Sequence, residues 1–513
     1  MQQLTEMDCN FLQQESVHTP MHISPVIIYD QSHRAGGRVR FKEILTVFER
    51  NLHKSAIFRR KLAGGAMGLD TPYWVEDPNF HLEFHVRHLA LPKPGDWRQF
   101  CILLSRLQAR GLDMRRPLWE AYVIEGLSGV EGLPENSFAI MLKIHHAAID
   151  GVSGAEIITA IHSLTDEVAP PQVQDTWQGE RDPSPWQVWS RAYVHNLKRP
   201  MKFLETVGNL VPAVIRANRE SAGVEGQPRK PLVARTRFNT RVSSTRVTDA
   251  LIMELDELKS IRRALDNHVT INDIVVTVVG GALRRYLASK QELPEGSLSC
   301  GAPVNTRSER NSDSTGNQVG LLVIGMATDI ADPLERLRAV HSNAESSKSY
   351  SNTLGSSVIV DISEILIPQV LGWGFQAAML AATRSDIPIP FHTIISNVPG
   401  PQFPLYLAGA NVHMMMGIGP LLHMMGLFHA VISGAGKLTI NFVSCREMLP
   451  DPQFYRECLE ESFLELRTAA TQETERREAG AKQRRKPAAT PKKRTGKPAR
   501  QRKPRATAKR KPA

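Results

Sequence analysis

The strongest hydrophobic pattern in the chain runs over residues 137–145, where apolar and β-favouring residues alternate across two faces and predict a strand. Phe138, Ile140, Leu142 and Ile144 share one face, which His146 continues, while Ala139, Met141, Lys143 and His145 share the other. Eight residues past His145, Ser153 and Glu156 have the spacing of a capping box that opens a helix. His145, His146, Asp150 and Gly151 therefore fall on a strand-to-helix turn. Upstream, the pattern predicts strands over 23–29, 72–75, 84–86 and 121–125, and helices over 41–52 and 96–110. Downstream it predicts a strand over 247–253 and a helix over 255–265. A second helix starts at Thr270 and carries Ile274, Val275, Val278, Ala282 and Leu283. Strands and helices are thus mixed through both halves.

Length sets the number of cores. A chain of 513 residues with 42% hydrophobic content exceeds what one core holds, since single cores stop growing at about 250–300 residues. The expected division is a lobe over 1–165, a crossover over 166–240 where Pro, Gln and charged residues accumulate, a lobe over 241–470, and a tail over 471–513. The formal charge of +11 is uneven: 471–513 holds 17 Lys and Arg against 3 Asp and Glu, leaving 46 against 49 elsewhere. Rich in Ala and Pro and without apolar periodicity, the tail is expected to be disordered. Two partners suit its basicity, an anionic membrane or lipid-droplet surface and nucleic acid. In the crossover, Trp186, Trp189 and Tyr193 beside Arg191, Lys198 and Arg199 suit an interfacial helix, or a helix packed on the protein itself.

The opening residues lack the basic and apolar regions of a signal peptide, and no segment holds the ~18 uninterrupted apolar residues of a spanning helix. Five scattered cysteines without C-x-x-C spacing indicate neither a disulfide framework nor a zinc site. From 387 to 436 there is no Asp, Glu, Lys or Arg, and the stretch contains Met414, Met415, Met416, Met424 and Met425. Such a segment suits either a core or a wall for flexible aliphatic ligands.

An imidazole at the end of a buried strand suits a general base that takes a proton from a hydroxyl, which favours His146, with His145 supporting. A pair of ordinary hydrogen-bonded histidines fits the same two letters. A metal site fits poorly, because neighbouring strand residues point apart and no Cys or carboxylate cluster completes a shell. Asp150 suits a residue that orients the turn, and Gly151 one that gives it clearance. Thr270 and Asp273 read as helix-capping residues and Asn272 as a first-turn polar residue.

The full pattern His-His-x-x-x-Asp-Gly over 145–151 resembles the signature of acyltransferases related to chloramphenicol acetyltransferase. The opening with Met7-Asp8, Phe11-Leu12, Glu15 and Pro20-Met21-His22 is similar to one branch, the bacterial wax ester synthase/diacylglycerol acyltransferases. Pro117-Leu118-Trp119, Asn272-Asp273, residues 301–307, Gly316-Asn317 and Asn397-Val398-Pro399-Gly400-Pro401 match that branch in order. The segment 421–429 is less polar than is usual there.

The resemblance implies two α/β lobes with an active-site tunnel between them, and long-chain acyl-CoA as co-substrate with no cofactor or metal. The acceptor is then a fatty alcohol or diacylglycerol, and the location cytoplasmic, at the periphery of the inner membrane or of lipid droplets. It implies His146 as the base, Asn272 and Asp273 as candidates for the substrate or oxyanion site, and Pro117, Leu118, Trp119 and 397–401 as channel or structural motifs. A carrier or scaffold that binds lipid without turnover is the competing function.

Overall fold

The computed structural model describes residues 2–34, 37–64, 71–149, 153–167, 235–265, 268–305, 319–354 and 391–484, with isolated positions at 177, 179–180, 184, 186–187, 190 and 389. Two six-stranded mixed sheets dominate. The first runs Tyr406–Leu407, Ala410–Ile418, His22–Asp30, Ser137–His145, Trp119–Leu127, Val86–Ala90, antiparallel throughout except for the final parallel pair. The second runs Val319–Gly325, Ser299–Asn305, Thr393–Pro399, Leu427–Gly434, Lys437–Ser444, Val247–Glu254. Its central pairs, on either side of Thr393–Pro399, are parallel. A small three-stranded sheet flanks the N-terminus.

Alternation along Ser137–His145 decides what each face packs against. Phe138, Ile140, Leu142 and Ile144 join Ile44 and Phe48 of the Phe41–Asn51 helix and Ile157 of the Ser153–Ile161 helix in one core. Ala139 and Met141 face the opposite way, into a core shared with the second sheet and with the helices Ile271–Ser289 and Pro452–Arg484. All nine strand residues are buried, the arrangement of a central strand covered on both sides. Burial of each large aliphatic side chain contributes about 1.5–3 kcal/mol, so this second core binds the two sheets into one body. Polar contacts reinforce it: Trp97 Nε1 donates to Asp249 Oδ1 at 2.7 Å, and Gln108 Nε2 to the Gly419 carbonyl at 3.3 Å.

Several expectations change. The division at 241–470 does not match the sheets, because Tyr406–Leu407 and Ala410–Ile418 lie late in the chain yet complete the first sheet. The methionine run is a strand of that sheet, with Met414 and Met416 in the shared core and Met415 in the other, so these three are core residues. Leu82–His85 forms a short helix where 84–86 suggested a strand; His85 turns inward, with Nδ1 2.7 Å from the Trp119 carbonyl. The Pro452–Arg484 helix runs well past 470, so the tail over 471–513 is not disordered from its start. Lack of apolar periodicity excludes a core, whereas Ala, Glu and Arg favour a helix, and Arg477 pairs with Glu473 one turn earlier at 3.0 Å. Most of 166–240, the Ser153-Glu156 side chains and 485–513 lie outside the described residues. No described helix is long and apolar enough to cross a membrane.

Met416 is fully buried. Met416→Asp is expected to abolish the cooperative thermal transition, because an unpaired charge would sit inside the shared core; a native-like melting curve would show the site open to water.

Candidate active site

The central strand ends at His145, and a 3₁₀ turn over His146–Ala148 follows. The side chain of His145 terminates the strand: its Nδ1 accepts the Ala147 N–H at 3.0 Å, satisfying an amide at the start of the turn. With Nδ1 accepting, the ring proton is on Nε2, which donates to Glu15 Oε2 at 3.2 Å. The same carboxylate oxygen accepts the Met21 N–H at 2.5 Å. Met21 in turn accepts the His146 N–H through its carbonyl at 2.8 Å. The loop joins three segments, the end of the Glu6–Gln14 helix, the start of the His22–Asp30 strand and the histidine turn.

Strand alternation therefore stops one residue short of His146, and the two faces of the strand do not by themselves separate the histidines; the turn aims His146. Its ring stacks on Phe11, with centroids 3.9 Å apart and planes at 21°. His146 Nδ1 is buried and has no hydrogen-bond partner among the described residues. Burial, opposed by its own backbone and reinforced by neighbouring His145, lowers the pKa of His146 to about 4. At neutral pH the ring is uncharged and has a lone pair with which to accept a proton.

Lys143, two residues earlier on the face of His145, is fully buried and donates from Nζ to the Arg110 carbonyl at 2.5 Å. Burial lowers its pKa to about 8. His22, paired with His145 across the strands, is also fully buried; burial, then Lys143 and His145, hold it well below the ordinary imidazole range.

Of Pro117, Leu118 and Trp119, Leu118 meets the turn directly and Trp119 pairs with Ile144 just before it. The Leu118 carbonyl accepts the His145 N–H at 3.0 Å, and Trp119 is fully buried, with Nε1 donating to the Phe58 carbonyl at 3.0 Å. The motif braces the strand end from below. Asn272 and Asp273 open the Ile271–Ser289 helix, and the two differ. Asp273 Oδ2 accepts the Thr270 N–H at 2.8 Å and lies 2.9 Å from His341 Nδ1, so the buried carboxylate is committed to the cap. Asn272 is half-buried on the first turn.

Asn397, Val398 and Pro399 form the exposed end of a strand whose first half, with Thr393 and Ile395, is buried. Gly400 then donates to the Ser433 carbonyl at 2.7 Å, where a Cβ would fall 2.3 Å from that oxygen; Pro401 follows. Among the described residues, no hydrogen bond or ring contact links Asn272 or 397–401 to the histidine turn. Asp150 and Gly151 lie outside the described residues. Sequence reasoning gave Phe11 and Glu15 no role. Glu15 stands 130 positions before His145, and no periodicity or spacing signals such a pairing.

The comparisons with known proteins agree with this architecture. The wax ester synthase/diacylglycerol acyltransferase catalytic domain matches residues 4–275, and the corresponding C-terminal domain matches 315–467. A Mycobacterium tuberculosis H37Rv protein named as a diacylglycerol O-acyltransferase is 32% identical over 461 residues, covering 88% of this chain and 87% of its own. One from Mycobacterium bovis is 31% identical over 464 residues, covering 90% and 98%. The wax ester synthase/diacylglycerol acyltransferase structure from Marinobacter aquaeolei VT8 superposes with a TM-score of 0.62 at 25% identity, covering 91% of this chain and 100% of that one. The first condensation domain of the calcium-dependent antibiotic synthetase shares the fold, at TM-score 0.53 and 12% identity, covering 91% and 96%.

Fold and site together define an acyltransferase with paired histidines on a strand-to-helix turn. The chain belongs to the wax ester synthase/diacylglycerol acyltransferase family.

Two measurements separate the histidines. His145→Ala would leave the buried Ala147 amide without its partner and take from Glu15 one of the two donors it accepts, at about 1–3 kcal/mol for the buried group left unpaired. His146→Ala removes a ring held by stacking, worth about 0.5–1.5 kcal/mol. The melting temperature is therefore expected to fall further for His145→Ala, and equal shifts would refute the division. If the uncharged form of His146 is the active one, kcat/KM holds steady from neutral pH downward and falls only as pH approaches about 4, where that ring takes up its proton; an inflection near ~6.5, the unperturbed value, would show that a different group titrates.

Proposed function

We propose that the enzyme transfers a long-chain acyl group from acyl-CoA to the hydroxyl of a fatty alcohol or diacylglycerol, with His146 as general base. The observation that carries this reading is the buried, uncharged imidazole of His146, with its unpartnered Nδ1, in a turn braced by His145, Glu15 and Leu118. His146 removes the hydroxyl proton as the oxygen attacks the thioester carbonyl. A tetrahedral oxyanion forms and collapses, the carbon–sulfur bond breaks, and the imidazolium gives its proton to the departing thiolate. The products are an ester and free CoA. No acyl-enzyme forms, and the route calls for no metal or cofactor beyond the acyl-CoA co-substrate.

Asn272, with the free amides of its helix's first turn, stands as the candidate support for the oxyanion. Asp273 positions that helix end through its cap, and Asp150 and Gly151 shape the turn. Pro117, Leu118, Trp119 and 397–401 act as structural supports of the channel. The location that suits such substrates is the periphery of the inner membrane or a lipid droplet, with the basic residues beyond Arg484 held on anionic lipid; nucleic acid is the alternative partner of the same charge.

Free thiol released when purified protein meets palmitoyl-CoA and hexadecanol, or palmitoyl-CoA and a diacylglycerol, tests the reaction. His146→Ala is expected to lower kcat by ~10²–10⁴ while the protein stays folded, the range for loss of a general base. Full activity in that variant would remove His146 from the chemistry. Truncation after Arg484 should leave turnover on detergent-dispersed substrate unchanged and weaken binding to anionic vesicles in a salt-dependent way. Unchanged vesicle binding together with lost DNA retention would assign the tail to nucleic acid.

A further inference from the structure

Beside the histidine turn, the loop that leads into the second sheet meets the N-terminal turn of the first lobe, and the side chains that gather there are basic. Arg246 is buried and makes no ion pair with a carboxylate among the described residues. Its Nη1 donates to the carbonyls of Ser243 at 2.5 Å and Thr245 at 3.0 Å and reaches Cys445 Sγ at 3.7 Å, and its Nη2 donates to the His18 carbonyl at 2.5 Å. His18 carries a buried Nδ1 without a partner among the described residues. His423 accepts the Val242 N–H on Nδ1 at 3.1 Å, which leaves its Nε2 as the proton-bearing, donating nitrogen. Arg241 is exposed, and no carboxylate pairs with it among the described residues.

His423 is held below its ordinary value by burial, then by Arg241, His18 and Arg246, and no carboxylate offsets them. The acid nearest Arg246 is Glu447, which accepts the hydroxyls of Ser243 at 2.7 Å and Thr245 at 2.8 Å. Two guanidiniums on one loop, one of them buried and neither in an ion pair among the described residues, are unfavourable together until an anion joins them. Arginine presents a planar fork of donors that fits phosphate oxygens, and a nearby imidazole N–H adds to it. The cluster also adjoins the reacting centre. His18 stands three residues before Met21, whose carbonyl holds the His146 amide, and the charge of Arg246 acts on His22, the cross-strand partner of His145.

We infer that Arg241, Arg246, His18 and His423 form the site that takes the phosphates of the acyl donor, the pyrophosphate or the 3′-phosphate of coenzyme A. The inference rests on the acyl-CoA reading above and extends it to residues on both lobes. The donor would then bridge the lobes, its phosphates in this corner and its thioester beside His146.

The test uses the full chain with exposed Arg241 and half-buried His423 changed together to Ala. KM for palmitoyl-CoA is expected to rise ~10–100-fold, about tenfold for each charge-assisted hydrogen bond removed. KM for the palmitoyl thioester of N-acetylcysteamine, which has no phosphate for either side chain to meet, should change less than about twofold. Palmitoyl 3′-dephospho-CoA separates the two phosphates. If the native enzyme loses affinity for it, the 3′-phosphate is held here, and if not, the pyrophosphate is. An equal rise in KM for both thioesters, or none for palmitoyl-CoA, overturns the site. Calorimetric titration with adenosine 3′,5′-bisphosphate reads binding without turnover. Heat that vanishes in the double variant supports the site, and heat that persists refutes it. Absence of thiol release by the native enzyme from every donor would instead refute the acyltransfer reading.

Discussion

Both ring nitrogens of His145 are spent on holding the chain, and the rest of the site depends on that commitment. One accepts an amide of the turn and the other donates to Glu15, which itself anchors the backbone at Met21. The neighbouring histidine is thereby left with little to do structurally, and burial strips it of its charge. A single motif thus yields two opposite environments. The first imidazole is fixed by hydrogen bonds, while the second is stacked, buried and unpartnered at Nδ1 among the described residues. The pattern of two adjacent histidines has a physical basis here, since the first accepts an amide of the turn that aims the second.

The support extends outward in a definite order. Leu118 and Trp119 fix the strand end, the shared core fixes the strand against the second sheet, and the Thr270–Asp273 cap with His341 fixes the start of the helix whose first turn carries Asn272. Buried polar groups along this route are paired, so they specify geometry as well as contributing stability.

Much of this was legible in the sequence because it is local. The strand at Ser137–His145, the helix at Phe41–Asn51 and the capping box at Thr270 follow from period and spacing over a few residues. The paired-histidine motif named the chemistry because its residue types are few and its order is strict. What could not be read is set by contacts far apart in the chain. The Glu15–His145 bond, the Phe11 stack on His146 and the gathering of Arg246 with His18 have no periodic trace. Nor could alternation foresee that the strand would end one residue before His146. The three consecutive methionines left core and ligand wall open because Met packs equally well in either, and only the register of Ala410–Ile418 against His22–Asp30 assigns them to the core.

That register has a consequence for how the polypeptide is made. During synthesis the His22–Asp30 strand emerges early, pairs with Ser137–His145 on one side, and then waits with its other edge bare until Ala410–Ile418 leaves the ribosome. For hundreds of residues the nascent chain carries an unprotected sheet edge with Val26, Ile27 and Ile28 at its centre, the kind of edge that recruits other chains. The first lobe is therefore not a module that can be finished, inherited or excised alone, and its completion is timed by the last third of the chain.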